Sequence, residues 1–297
     1  MEVLRKLKRK FNKSIASKQN LTLVTEERSF DSVFTELKEF VKGNEAALVD
    51  RVIDEVVSPQ HHSVFWGDRL LTIDKSAGFL SDPPFRAAYN AVRGSHQYDQ
   101  YASPNTIAWR LHTLVWAAKS GLALEGDFVE CGVFKGDMSW VISQTVDFAS
   151  RGKRLYLYDT FEGFSDKYSS SEDFPDNPGF LDFAHDCYND PSIYSYVAGR
   201  FRDRKDIKVI KGVVPDVLLQ EAPEKIAFLH IDLNSPAAEI GALEILFPRL
   251  SPGAILVFDD YGWKQFRKQK EAEDEFMRLL GYEILELPTG QGVVVKR

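Results

Sequence analysis

Cysteine is scarce. Only Cys131 and Cys187 occur in 297 residues, so no disulfide framework is implied and a reducing compartment is the natural setting. No apolar run approaches the roughly 18–20 residues of a membrane-spanning helix, and the basic stretch after Met1 has no signal-type apolar core. A cytoplasmic protein is the expectation. Repeats and low-complexity tracts are missing. So is net positive charge: 37 Lys and Arg against 44 Asp and Glu leave −7, which argues against a nucleic-acid partner. No Gly-x-Gly-x-x-Gly turn or P-loop lysine is placed to hold a diphosphate. What remains is an ordinary globular composition, 44% hydrophobic and 27% charged, long enough for two domains or for one α/β domain with an appendage.

Charge is unevenly spread. Residues 1–18 hold seven basic side chains, Arg5, Lys6, Lys8, Arg9, Lys10, Lys13 and Lys18, against the single acid Glu2. Val3, Leu4, Leu7, Phe11 and Ile15 fall near helical spacing. The arm therefore reads either as an amphipathic helix in weak contact with an anionic membrane surface or as a solvated terminus. Apolar residues recur at helical intervals from Phe30 to Val57. Between Ser58 and Pro104 the periodicity fails among prolines and aromatics, as in a functional lid or a set of short elements. Thr106–Ser120 is helical again. The division predicted is 1–105, a basic arm with helices and a lid-like segment, and 106–297, a Rossmann-like domain.

After Gly126 short β-branched runs alternate with helical segments. Strands are predicted at Asp127–Val133, Arg154–Phe161, Ile207–Lys211, Ile226–Asp232, Ala254–Tyr261, Tyr282–Leu287 and Gly292–Lys296. Helices are predicted at Asp137–Ala149, Ser192–Phe201, Val214–Gln220, Ala237–Leu250 and Lys264–Leu280. Right-handed βαβ crossovers then give an α/β, doubly wound, seven-stranded sheet. Pro288–Gln291 is too short for a crossover helix, so the last strand returns antiparallel. That terminal hairpin matches a class I methyltransferase sheet better than a plain dinucleotide-binding one.

Ligands of open parallel sheets bind beyond the carboxyl ends of the strands. The first strand ends Glu130-Cys131-Gly132-Val133-Phe134-Lys135-Gly136, whose glycines let the backbone turn tightly or approach a ligand. The second ends Asp159-Thr160-Phe161-Glu162-Gly163. Asp159 there either accepts ribose hydroxyls, as in nucleotide-binding units, or caps a helix. The fourth and fifth strands end in Asp232-Leu233-Asn234 and Asp259-Asp260-Tyr261, bringing three carboxylates and an amide to one sheet edge. Crowded carboxylates repel unless a cation neutralises them, and hard oxygen donors suit Mg²⁺, Ca²⁺ or Mn²⁺; the alternative is that Asp259 or Asp260 caps the following helix.

Taken in order and spacing, these motifs with Leu250-Ser251-Pro252-Gly253 resemble the macrocin O-methyltransferase family over Thr106 to the C-terminus. The resemblance implies an S-adenosylmethionine-dependent, Mg²⁺-dependent O-methyltransferase acting on sugars in macrolide or polysaccharide pathways. It implies that Glu130 and Gly132 line the methionine part of the cofactor, and Gly136 and Thr160 are expected to be cofactor-binding as well. Asp159 would hold the ribose, and Asp232, Asp259 and Asp260 the metal, Asp232 doubling as base. The family reads Asp-Gly-Asp-Leu-Tyr-Glu-Ser where this chain reads Asp232-Leu233-Asn234-Ser235-Pro236-Ala237-Ala238, so the second acid is an amide and the Tyr-Glu pair is missing.

A sugar hydroxyl attacks a methyl group only once its proton is removed or its oxygen is bound to a cation. Asp232 is the first candidate base, with His185 and His230 as further ones; His230 also reads as a packed core histidine. The aromatic-rich segments 58–104 and 162–191 are expected to form the acceptor pocket, and a homo-oligomer is expected. Two rivals stand beside this reading: a nicotinamide-dependent oxidoreductase on the same layout, and an adenosyl-ligand-binding scaffold without turnover.

Overall fold

The computed structural model describes residues 64–68, 70–73, 75–92, 107–188 and 190–297. The basic arm at 1–18 and the helical pattern over 30–57 lie outside them. Two compact units are present, Met1–Pro83 with Tyr98–Ala108, and Pro84–Gln97 with Trp109–Arg297. In the first, β1 (Val64–Gly67) and β2 (Leu70–Ile73) form an antiparallel hairpin, and a short 3-10 turn follows at Gly78–Ser81. Helix α1 (Pro83–Val92), which apart from Pro83 belongs to the second unit, buries Phe85, Ala88, Tyr89 and Val92, the i, i+3, i+4, i+7 stripe of an amphipathic helix. The described part of 58–104 is thus a set of short elements.

The second unit holds the sheet. Helix α2 (Ala108–Gly121) leads into β3 (Asp127–Cys131), and α3 (Asp137–Thr145) into β4 (Leu155–Asp159). Helices α4 (Phe180–Tyr188) and α5 (Ser192–Arg200) precede β5 (Ile207–Lys211). Then come α6 (Leu218–Glu221), β6 (Ile226–Ile231), α7 (Pro236–Leu246) and β7 (Leu250–Phe258). The chain closes with α8 (Arg267–Leu279), β8 (Leu285–Glu286) and β9 (Gly292–Val295). The sheet order is β5-β4-β3-β6-β7-β9-β8. The pairs from β5 across to β7 are parallel, and β9 is antiparallel to β7 and to β8, as the short final turn requires. The order reverses between β3 and β6, which makes their carboxyl ends the switch point.

Both faces of the central strands are buried. Alternate residues Val129, Cys131, Leu229 and Ile231 pack with Leu243 of α7 and Met277 of α8. On the opposite face Phe128 lies 5.6 Å from Phe228, and α2 ends at Gly121 against Phe128 and the Ala227 carbonyl, where a side chain would not fit. Glu130 and His230 share that second face by the period of a strand.

Three expected details are corrected. Segment 162–191, for which no helix is predicted, contains α4. Its Phe174 and Phe180 are buried with Ala184 and Phe266 in a satellite core, so these rings stabilise the insertion rather than offer faces to a ligand. The predicted strands also run past the observed ends, because Gly132, Phe134, Phe161 and Asn234 have positive φ and turn the chain out of the sheet. Finally, β8 is only two residues long, pairing with β9 at Leu285 and Glu286 alone, while the preceding Tyr282 packs its ring on Phe247 at 5.1 Å.

Candidate active site

Parallel register places Glu130 of β3 beside His230 of β6. His230 is fully buried and Glu130 nearly so. The imidazole Nδ1 donates to Glu130 Oε1 at 2.9 Å, and Nε2 stands 3.7 Å from Asp259 Oδ1. Burial opposes charge on the ring, but the flanking Asp259 and Glu130 carboxylates outweigh it and raise the pKa of His230 to about 10. Burial also pushes Glu130 above the usual carboxylate range. Its second oxygen, Oε2, has no hydrogen-bond partner.

Asp259 follows β7, its backbone N–H bonded to the Ile231 carbonyl at 3.0 Å, and so comes to lie beside the end of β6. The adjacent carboxylates are not left to repel each other. One guanidinium nitrogen of Arg110, on α2, donates to Asp259 Oδ2 at 2.6 Å and to Asp260 Oδ1 at 2.8 Å, while the guanidinium lies over the Trp263 ring. Gln291, in the β8–β9 turn, donates to Asp259 Oδ1 at 2.9 Å. Burial raises the pKa of Asp259, but Arg110, His230 and Gln291 overcome it and hold the carboxyl below its ordinary value. Asp232 is half-buried just beyond β6; desolvation and the Asp259 and Asp260 charges push it well above the usual range. Ligand atoms of His230, Asp232 and Asp259 lie within 4.8 Å of one another. The three predicted carboxylates therefore do reach one edge, with Asp260 turned onto Arg110 and His230 joining the converging set.

On the other side of the switch point, Gly132 has φ +88, and a Cβ there would stand 1.8 Å from the Asp232 carbonyl oxygen. The ends of β3 and β6 meet only because that position is glycine. Gly136, in the left-handed conformation, precedes α3; its turn is pinned by Arg200, which donates to the Lys135 carbonyl at 2.7 Å and to Asp137 Oδ1 at 2.6 Å. Asp159 accepts the N–H groups of Val133 and Phe134 on Oδ2 (2.6 and 2.9 Å) and that of Phe161 on Oδ1 (2.6 Å). It braces both strand-end turns. Thr160 donates its hydroxyl to the Gly163 carbonyl at 2.6 Å. His185 lies half-buried on α4 and makes no hydrogen bond or ion pair with Asp232, Asp259 or Asp260 among the described residues.

The chain and its sheet order have counterparts among known proteins. Residues 109–281 match the macrocin-O-methyltransferase (TylF) family. The chain belongs to that family. It is an O-methyltransferase, with S-adenosylmethionine as its methyl donor and the class I methyltransferase fold. The mycinamicin III 3''-O-methyltransferase of Micromonospora griseorubida is 25% identical over 197 residues, 62% of this chain and 74% of that protein. The O-methyltransferase NovP superposes with a TM-score of 0.52 at 18% identity, over 63% of this chain and 79% of that one. The nicotinamide alternative finds no support in this membership.

Sequence reading missed Arg110, Gln291 and Glu239. Arg110 had a signal, a lone cation in the apolar stripe of α2 opposite an acid-rich sheet edge. Gln291 had none, because its partner Asp259 lies 32 positions away; Glu239, whose Oε1 takes the Leu233 and Asn234 N–H groups six and five positions back, reads in the sequence as an ordinary acid in the first turn of a helix.

Proposed function

We propose that this macrocin-O-methyltransferase family member methylates a sugar hydroxyl of a glycan or glycosylated metabolite, with Mg²⁺ or Mn²⁺ held at the ends of β6 and β7. The observation that carries the reading is the convergence of Asp232, Asp259 and His230 at the switch-point edge. The donor set fits such an ion: carboxylate oxygens are hard ligands, and the buried Nε2 of His230 lacks a hydrogen-bond partner. His230 must then give up its proton. Once bound, the ion would supply a Lewis acid that lowers the pKa of the acceptor hydroxyl and orients it.

The chain's own residues do the remaining work. Arg110 and Gln291 fix the direction of Asp259. Glu130, Gly132 and Gly136 border the methionine side of the donor, where the unpartnered Glu130 Oε2 suits an ammonium group. Asp159 and Thr160 border its ribose; beside the Phe161 bond, Oδ1 of Asp159 keeps a lone pair for a hydroxyl. Asp232 would take the hydroxyl proton as the methyl group passes from the donor sulfur to the acceptor oxygen. His185 is the second candidate for that proton, distinguished by comparing Asp232→Asn with His185→Ala.

The test is methyl transfer from labelled S-adenosylmethionine to a panel of glycosylated metabolites and nucleotide sugars, run with chelator and with Mg²⁺ or Mn²⁺ restored. Labelled sugar product that disappears with chelator and returns with the ion is expected. Full turnover by demonstrably metal-free protein would overturn the metal assignment, and labelling confined to non-sugar hydroxyls would overturn the acceptor class.

A further inference from the structure

Two acids that the proposed chemistry does not use are fully buried between α7 and α8. Glu239 sits in the first turn of α7 and Glu273 on α8, both without solvent exposure. Glu239 Oε1 accepts the backbone N–H groups of Leu233 at 3.2 Å and Asn234 at 3.0 Å. Those residues follow Asp232 directly, and Asn234 has φ +55, a conformation that costs a non-glycine residue energy unless its surroundings impose it. Asn234 Nδ2 in turn donates to Asp232 Oδ1 at 3.3 Å. On the far side, Gln269 Nε2 donates to Glu273 Oε1 at 3.1 Å. This leaves the Oε2 atoms of Glu239 and Glu273, both buried and without an N–H or hydroxyl partner, with the two carboxyl groups in hydrogen-bonding reach of each other. Two carboxylates cannot share that contact, whereas a carboxyl and a carboxylate can.

We propose that Glu239 is a positioning residue for Asp232: it clamps the 232–235 turn in its left-handed form, and a proton carried by Glu273 orients Glu239 for that task. The link then runs unbroken from Gln269 through Glu273 and Glu239 to the two backbone N–H groups, and through Asn234 to the candidate base. Burial and the Glu239 charge both favour the protonated form of Glu273. The charged or titratable neighbours of the pair are His230 from β6, Cys131 from β3, Tyr261 from the turn after β7 and Asp274 from α8. An apolar pair would cost less to bury; what the carboxyls add is a fixed acceptor for two N–H groups that have left the sheet.

The inference rests on the proposed role of Asp232 only in its activity readout, so the test has two. Hydrogen exchange at the Leu233 and Asn234 amides reports the clamp, and kcat and KM for methyl transfer report its consequence. Glu273→Gln keeps a donor toward Glu239 and is expected to preserve both. Glu273→Leu removes the donor and is expected to speed exchange at those two amides about tenfold, the scale of one lost hydrogen bond. It should lower kcat by a similar factor and leave KM for S-adenosylmethionine near its original value. Glu239→Gln, which can still accept from both N–H groups, supplies the comparison if Glu273→Leu does not fold; protection retained there supports the clamp. Unchanged exchange in folded Glu273→Leu, or Glu273→Gln as impaired as Glu273→Leu, would overturn the proposal. Faster exchange with unchanged kcat would uphold the clamp and overturn the role given to Asp232.

Discussion

A carboxyl that must stay protonated makes stability depend on pH, and Glu273 is such a group. Its pKa is raised by burial and by Glu239 above the ordinary 4.5. An acid whose folded pKa is raised stabilises the fold fully below its unfolded value, and that contribution is lost as pH climbs through the folded value. Wild-type protein is therefore expected to lose unfolding free energy, relative to Glu273→Gln, as pH rises from about 4.5 into the neutral and alkaline range. Urea titrations of both proteins across that range check this; parallel pH profiles would show that Glu273 is not protonated in the fold. Arg110 poses the complementary case. Removing one partner of a buried ion pair costs about 3–5 kcal/mol, so Arg110→Met should lower the denaturation midpoint in chelator, because Asp259 and Asp260 lose their cation. Millimolar Mg²⁺ or Mn²⁺ is expected to restore part of the loss if the ion can neutralise the same carboxylates. Equal midpoints for Arg110→Met and wild type would show that the guanidinium is not what balances them.

Strand ends carry this site, and each does so through a turn that leaves the sheet sharply. The β3 turn is the most constrained, since a Cβ on Gly132 would overlap the Asp232 carbonyl at 1.8 Å. Gly132→Ala is expected to cost at least about 3 kcal/mol, from conformational strain and the displaced β6 end together. Gly152→Ala is the control for conformation alone: φ there is +69 with nothing within 4 Å of the added carbon, and about 1 kcal/mol is expected. Denaturant midpoints of the two variants separate strain from collision. Helix α4 teaches a related lesson. The aromatic residues in and before it look like ligand-stacking faces in the sequence, yet Phe174, ahead of the helix, and Phe180, at its start, are among the most buried side chains of the insertion. Aromatic content alone does not distinguish a satellite core from a binding wall.

Across the whole molecule, among the described residues no helix is long and apolar enough to cross a membrane. On the proposed reading donor binding would draw on the carboxyl ends of several strands at once, so it should stabilise the fold as a unit. S-adenosylmethionine at a hundred times its Kd is expected to add about 2.7 kcal/mol. Calorimetry with and without the ligand reads this directly; an unchanged melting temperature at saturating donor would contradict binding to the native state. The alternation of β-branched runs with helical segments determined the doubly wound sheet, and the four residues Pro288–Gln291 determined its reversed last strand, because both follow from local periodicity and from how far a short turn can reach. The motifs ending in Glu130, Asp159, Asp232 and Asp259 likewise placed the site's acids at strand ends without any structure. Partnership was decided only in three dimensions. Arg110 meets Asp259 across 149 positions, Gln291 meets it across 32, and His230 meets Glu130 across 100, and no local rule encodes those pairings. Nor could sequence show that Glu239 and Glu273 face each other, since two acids on amphipathic helices read as solvated until packing turns them inward, and only there does burial make a shared proton more stable than two charges.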